Sequence, residues 1–232
     1  MSALHPTILI IDDDPQIYRY LRPAMTEAGY SAVNNPSGLS GLQAINTNPP
    51  DAVILDIDIR DMRGEDLLAR ARGSFQGPIL VLSARSRDIE KINALDLGAD
   101  DFVAKPFGVG ELLARLRVAF RRRMLRGGLN PIVRARGLTV NLVTRIVALR
   151  GVSVSLTPQQ YAILACLASA GGAAVTHSEL AIRSDPEGGA KSRQDLRILI
   201  RQLRGKIEET PKMPLIITTE RNVGYRLNVD RE

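Results

Sequence analysis

The sequence predicts an α/β domain built on a doubly wound parallel sheet of five strands, followed by a smaller α+β domain. Three observations carry that prediction. In the first half, short apolar runs (ILII, AVIL, ILVL, FVA) alternate with helical patterns, as βα units require. The second half opens with short alternating strands, passes through three helical stretches and ends in a hairpin pattern. Charge divides at the same place: Met1 to Arg121 holds 13 Lys+Arg against 16 Asp+Glu, and Arg122 to Glu232 holds 18 against 9. The net charge of +6 thus hides an acidic half and a basic half, the second suited to a polyanion. At 232 residues each half is long enough to bury its own core.

The first run, ILII, closes on Asp12. Asp14-Pro15 then reads as an N-cap with proline in the first turn, and Gly29 as the stop. Ile17, Leu21 and Ala24-Met25 supply the apolar face, while Pro23 removes one hydrogen bond and bends the helix. Further helices are expected over Gly38–Asn46, Glu65–Arg72, Arg87–Leu97 and Gly110–Leu125. From Arg121-Arg122-Arg123 through Gly127-Gly128 to Pro131, a basic helix end meets paired glycines and a proline, the composition of a flexible joint. The expected organisation is a first domain over 1–121, a linker over 122–131 and a second domain over 132–232. Beyond the joint, strands are expected around Leu138–Val140, Ile146–Leu149 and Val152–Val154. Thr157-Pro158 caps a helix running to Ala170, Ser178–Ile182 forms a short second one, and Ser192–Glu208 a third. ITTE, a turn at Arg221-Asn222 and VGYRL make the hairpin. A small sheet, three helices and a terminal hairpin describe a winged helix.

The lone Cys166 lies in the apolar stretch YAILACLASA and reads as a small buried hydrophobe, so no disulfide forms within the chain. MSALHPT lacks the charge and apolar length of a signal peptide, and the longest weakly polar stretch, Tyr161 to Val175, is too short to span a bilayer. A cytoplasmic protein with no membrane partner is expected.

Four apolar runs end on chemistry: the Asp12-Asp13-Asp14 cluster, Asp56, Ser83 and Lys105. Parallel sheets bind ligands at the carboxyl ends of their strands, so acid, acid, hydroxyl and ammonium converge there. Taken singly, each has an ordinary explanation as a helix cap or a solvated surface group; four in order on four strand ends do not. Carboxylates about 4 Å apart repel by about 4 kcal/mol at an effective dielectric near 20. An all-oxygen site that needs a cation favours Mg²⁺. With it Asp56 would act as nucleophile toward a phosphoryl donor, Lys105 would neutralise spreading charge and Ser83 would hydrogen-bond the product.

The segments IDDDPQI, VILDIDIRDMRG, LVLSAR and GADDFVAKPF resemble the receiver domain of two-component response regulators over essentially all of Met1 to Leu125. The resemblance implies a sheet of order 2-1-3-4-5 and a histidine kinase as phosphoryl source. It makes Asp56 the phosphoacceptor and Asp12 and Asp13 the Mg²⁺ carboxylates, with Asp58 offering its backbone carbonyl. Ser83 becomes the switch hydroxyl, Phe102 the aromatic that moves with it, and Lys105-Pro106 a cis peptide. Arg60 stands where the family usually has proline, which removes a rigid turn and brings a cation close to the pocket.

In the third helix of the basic half, Leu196, Leu199, Ile200, Leu203 and Ile207 follow helical spacing toward a core. Projection places Gln194, Arg197, Ile198, Arg201, Gln202 and Gly205 outward, and arginine and glutamine read guanine and adenine edges in the major groove. Arg193, Arg204 and Lys206 lie to the sides, suited to phosphates, and Arg221 at the hairpin tip to the minor groove. LTPQQYAIL, VTHSEL, LRILIRQLRGKIE and IITTERNVGYRL resemble the effector domain of OmpR/PhoB-type winged-helix regulators. KPFGVGELLARLRVAFRR and the third helix resemble in particular the regulators of Kdp potassium-transport operons. Gln160 replaces the usual glutamate after the LTP cap. Asp185 sits where the family places tryptophan, inside the altered loop Ser184–Lys191 that touches DNA or RNA polymerase in relatives.

The resemblance also places Lys91, Asp96, Asp100, Asp101, Glu111, Arg115 and Arg122 on a face that pairs two receivers through reciprocal salt bridges. The expected protein is no enzyme but a phosphorylation-controlled, dimeric regulator of promoter DNA. Two rivals stand beside it. Arg60 and the altered loop point to an atypical receiver that binds DNA or protein regardless of phosphorylation. Asp56-x-Asp58 resembles the nucleophile motif of haloacid-dehalogenase-type phosphatases, though that motif normally sits on the first strand, which here carries Asp12 and Asp13.

Overall fold

A computed structural model describes residues 5–84, 87–184 and 193–230, without the side chains of Ser184 and Arg193. The chain forms two compact units, His5–Arg123 and Met124–Glu232.

The first unit has strands β1 (Thr7–Ile11), β2 (Ser31–Asn35), β3 (Ala52–Asp56), β4 (Ile79–Ser83) and β5 (Asp101–Ala104). All neighbours pair in parallel, in the order β2-β1-β3-β4-β5. Between and after them run α1 (Pro15–Glu27), α2 (Gly38–Thr47), α3 (Gly64–Ser74), α4 (Asp88–Asp96) and α5 (Val109–Arg126). β3 and β4 are buried at every residue because helices cover both faces, which explains their unbroken apolar runs. Alternate residues feed two cores. Leu9, Ile11, Val53, Leu55 and Val81 pack against Ile45 of α2, Leu67 and Leu68 of α3 and Ala94 of α4. Ile8, Ile10, Ile54, Leu80 and Leu82 pack against Leu21 and Met25 of α1 and Leu112 and Leu116 of α5. At strand period two, one sheet thus serves both layers.

The Asp14 carboxylate caps α1 by accepting from Gln16 N–H, and the helix continues through Pro23. Gly64 starts α3 so close to the β3 end that a Cβ there would lie 2.0 Å from Ile57 O. Any side chain would push away the loop that follows Asp56. The stretch read as a joint, 122–131, is helical through Arg126, because arginine is a good helix former and no breaker precedes Gly127. Gly128 then turns the chain at φ 71°.

The second unit is a winged helix. Antiparallel strands β6 (Ile132–Ala135), β7 (Leu138–Asn141), β8 (Val147–Leu149) and β9 (Val152–Ser153) precede α6 (Pro158–Ser169), β10 (Val175–Thr176), α7 (His177–Ser184) and α8 (Arg193–Ile207). The chain closes with the hairpin β11 (Ile217–Glu220) and β12 (Gly224–Leu227), which forms a sheet of order β10-β12-β11. Leu138 and Val140, Ile163, Leu164 and Leu167, Leu180, and Leu196, Ile200, Leu203 and Ile207 form its core. Gln160 preserves the capping box: its N–H donates to Thr157 Oγ1 at 3.3 Å and its Oε1 accepts from Thr157 N–H at 3.1 Å. The edge strands β6 and β10 were not expected from the sequence. IVRA and VT are too short and unpatterned, and become strands only through pairing with β7 and β12.

Candidate functional site

Asp12, Asp56, Ser83 and Lys105 all lie at the carboxyl ends of β1, β3, β4 and β5, where Lys105 meets Asp12 and Asp56 in one pocket and Ser83 meets Asp58 beside it. Asp12, Asp56 and Ser83 are buried. Lys105 Nζ donates to Asp12 Oδ2 at 3.1 Å and to Asp56 Oδ2 at 2.9 Å. One carboxylate oxygen each from Asp12, Asp13 and Asp56 lie within 4.8 Å of one another. Burial and the neighbouring Asp56 charge push the Asp12 carboxyl up, against the opposing pull of Asp14 N–H and Lys105. Burial alone would lower the Lys105 ammonium, but its hydrogen bond to Asp56 and the charges of Asp56 and Asp12 outweigh burial and hold it above its ordinary value. The three carboxylates are a hard, oxygen-only donor set, which fits Mg²⁺. Asp56 Oδ1 accepts from Asp58 N–H at 3.1 Å, so donors sit on both oxygens of the one acid that closes β3. The Lys105-Pro106 peptide is cis.

Three side chains of the loop after β3 add contacts around this pocket. The Asp58 carboxylate is held at the end of β4: its Oδ2 accepts from Ser83 Oγ–H at 3.1 Å and from Ala84 N–H at 2.7 Å. Arg60 Nε donates to Asp13 Oδ2 at 2.6 Å from an otherwise exposed side chain, and that bond raises the guanidinium pKa. Asp61, unremarked in the sequence, accepts from Ser37 Oγ–H at 2.8 Å and from the N–H groups of Gly38 and Leu39 at 3.0 and 3.2 Å. It ties the β3–α3 loop to the start of α2. Burial raises its pKa, but these bonds, together with its own backbone N–H, prevail and lower it. Phe102 is buried and, with Asp58, Arg60, Arg63, Ser83 and Glu90, lines a cavity of about 570 Å³ beside the pocket.

On α8, Gln194, Arg197, Ile198, Arg201 and Gln202 are exposed together, and Arg221 is exposed at the tip between β11 and β12. Gln202 Oε1 also accepts from Gln160 Nε2 at 3.4 Å. Arg204 differs from its neighbours. Its Nε and one terminal nitrogen donate to Ile217 O at 3.0 and 2.6 Å, that nitrogen reaches Thr219 Oγ1 at 3.0 Å, and the guanidinium stacks 5.6 Å from the Tyr225 ring centroid. It therefore braces the hairpin against α8. The Arg193 side chain, Asp185 and most of the Ser184–Lys191 loop lie outside the described residues.

On the α4–β5–α5 face, Lys91, Asp96, Glu111 and Arg122 are exposed. Arg115 is already bound to Asp101 at 2.9 Å and to Glu111 at 2.8 Å within its own unit. Asp100 turns inward, accepting from Arg72 at 2.7 Å and from Ile79 N–H at 2.9 Å. Among the described residues, no helix is long and apolar enough to cross a membrane.

Two family models match. Residues 8–117 fit the response regulator receiver domain, and residues 151–227 fit the transcriptional regulatory protein C-terminal domain. The chain is 41% identical to the transcriptional regulatory protein KdpE of Mycobacterium tuberculosis, over 94% of this chain and 97% of that protein. It is 37% identical to the KDP operon transcriptional regulatory protein KdpE of Escherichia coli K12, again over 94% and 97%. The crystal structure of a CheY-like receiver domain protein from Methanospirillum hungatei matches with TM-score 0.51 and 23% identity, over 53% of this chain and 99% of that one, a likeness of fold.

Proposed function

Because the chain belongs to the two-component response regulators that join a receiver to an OmpR/PhoB-type winged-helix DNA-binding domain, and is KdpE-like within them, we propose that it is switched by phosphorylation of Asp56. The observation that carries this reading is the buried Asp56 carboxylate, which meets Lys105 Nζ at 2.9 Å within a cluster of three acids. Asp12, Asp13 and Asp56, with the Asp58 carbonyl, would hold Mg²⁺. The ion supplies charge neutralisation to a phosphoryl group in transfer. Lys105 orients Asp56 and takes up negative charge on the transferred oxygens. An Asp56 oxygen forms the new O–P bond while the P–N bond to the kinase histidine breaks, and the imidazole nitrogen keeps the electron pair.

The receiver extends over 1–121 and the DNA-binding domain over 132–232, joined through 122–131, and the protein works in the cytoplasm. Phosphorylation favours pairing of two receivers through the α4–β5–α5 face. Two winged helices then occupy promoter half-sites about one helical turn apart, with α8 in the major groove. Gln194, Arg197, Arg201 and Gln202 read or flank bases, and Arg221 reaches the minor groove. The target in this reading is a Kdp-type potassium-transport operon, which the name of the Escherichia coli relative supports.

Acetyl phosphate with Mg²⁺ tests the first step by intact mass. Wild type should gain one phosphoryl group and Asp56→Asn none. An unchanged wild-type mass, or an adduct that persists in the variant, refutes the assignment.

A further inference from the structure

We propose that the Asp58 carboxylate is a built-in occupant of the subsite that receives the phosphoryl oxygens, so that phosphorylation of Asp56 must displace it. The inference rests on the phosphoacceptor reading above. Two donors at the end of β4 converge on one atom: Ser83 Oγ–H and Ala84 N–H both reach Asp58 Oδ2, at 3.1 and 2.7 Å. The backbone of the same residue is tied to the acceptor, since Asp58 N–H donates to Asp56 Oδ1 at 3.1 Å. An anion on a two-residue tether therefore spans the space between the acceptor and the β4 donors.

A hydroxyl has one proton and a backbone amide has one, so neither group serves two acceptors in full. A phosphoryl group arrives with three strong acceptor oxygens and about −1.5 to −2 charges. Lys105 meets it from the side of Asp12 and Asp56. On the β4 side, the donors it needs are those already given to Asp58. The two anions compete for the same hydrogens and repel each other across the same gap. The adjoining cavity of about 570 Å³, lined by Asp58, Arg60, Arg63, Glu65 and Glu90 among others, gives the displaced carboxylate room. Asp58 takes no part in bond making: with acetyl phosphate, an Asp56 oxygen forms the O–P bond and acetate leaves with the electron pair.

Beryllofluoride, a phosphoryl mimic, tests this in the full chain with excess Mg²⁺, by calorimetric titration of wild type, Asp58→Asn and Asp58→Ala. Alanine keeps the backbone carbonyl and N–H. Asp58→Ala should bind beryllofluoride about tenfold more tightly than wild type, the scale of one charge-assisted hydrogen bond no longer broken on binding. Asp58→Asn should fall between, since its amide oxygen still accepts but carries no charge. Without ligand, Asp58→Ala should melt at a lower temperature than wild type. Tighter binding by a less stable protein is the signature of a displaced competitor. A merely structural Asp58 gives the lower melting temperature with unchanged or weaker affinity, and that result overturns the proposal. If wild type binds beryllofluoride and accepts phosphoryl yet Asp58→Ala shows no gain, only this inference falls. If no variant binds or accepts, the phosphoacceptor reading falls with it.

Discussion

Lys105→Met removes the charge from the pocket while keeping the apolar stem. In wild type, Nζ lies 2.9 Å from Asp56 and 3.1 Å from Asp12, and both acids are buried. At an effective dielectric near 20, each pair attracts by roughly 5 kcal/mol before desolvation is subtracted. Removing one partner of a buried pair costs about 3–5 kcal/mol. The lysine side chain is 21% exposed, so water screens part of the effect, and the low end, about 3 kcal/mol, is the expected loss. For a unit the size of His5–Arg123, that lowers the melting temperature by about 10 °C. The assay is thermal melting of the full chain followed by circular dichroism, with chelator and with excess Mg²⁺. In wild type, lysine and metal would share Asp12 and Asp56; in Lys105→Met the metal has them alone. Mg²⁺ should therefore raise the melting temperature of the variant by more than that of wild type. An equal increment in both proteins would falsify the idea that the carboxylates, lysine and metal form one electrostatic unit.

The pH dependence of that difference follows from two shifts. The stabilisation from Lys105, whose folded pKa is raised, is fully present below its unfolded value of 10.5 and is lost as pH rises through the higher folded value. Asp12 has a raised pKa because burial and Asp56 penalise its ionised form, so the native state holds the extra proton and loses stability as pH climbs above 3.8. Without Lys105 that loss grows. The gap between wild type and Lys105→Met should open as Asp12 ionises and close on the alkaline side.

Arg60→Ala should raise Mg²⁺ affinity severalfold in low-salt calorimetry, because the guanidinium competes for Asp13, and the gain should shrink as salt screens the exposed pair; identical low-salt affinities remove Arg60 as a competitor. Arg201→Ala should weaken operator binding by about 1–3 kcal/mol in a mobility-shift titration, the range for a lost base contact. Arg204→Ala should instead lower the stability of the second unit by about 2 kcal/mol and leave the salt slope of DNA binding unchanged; a reduced slope would return Arg204 to phosphate contact. Glu208→Ala should lower the urea midpoint of the same unit by the equivalent of about 2 kcal/mol, since its buried carboxylate accepts from the N–H groups of Leu215, Ile216 and Ile217. An unchanged midpoint would show that water replaces it.

What was legible in the sequence, and what was not, follows from the range of the interaction involved. A parallel strand buried on both faces must be apolar along its length, so AVIL and ILVL announce β3 and β4 locally, and the residue after each run is placed at the pocket by topology alone. A helix projection gives the azimuth of a side chain but not its neighbour. Arg204 projects to the flank of α8, where a phosphate could lie, yet the returning β11 offers the Ile217 carbonyl at 2.6 Å and takes the guanidinium. Asp58 and Asp61 are held in the same way, by groups on β4 and at the start of α2. Each of these contacts pairs a charged side chain with groups of another element, and no spacing along the chain encodes it.

Contacts between elements also change how the α4–β5–α5 face can work. Asp100 is held by Arg72 and Ile79 N–H, and Arg115 already has Asp101 and Glu111. For Asp100, Asp101, Glu111 and Arg115, reciprocal salt bridges between two receivers would have to exchange partners rather than gain them, and an exposed pair contributes only about 0–1 kcal/mol even when newly made. The charges can set the register of such a pair but cannot drive it. α4, however, exposes Ile89, Ile92 and Leu95 beside them. Burying apolar side chains of that size contributes about 1.5–3 kcal/mol each when complete, which exceeds the net of the exchanged ion pairs. Association through this face would therefore be driven by the three aliphatic residues, and Ile92→Ser should weaken it more than Lys91→Ala in sedimentation equilibrium of the phosphorylated protein. The reverse order would mean that the ion pairs, and not the apolar strip, supply the affinity.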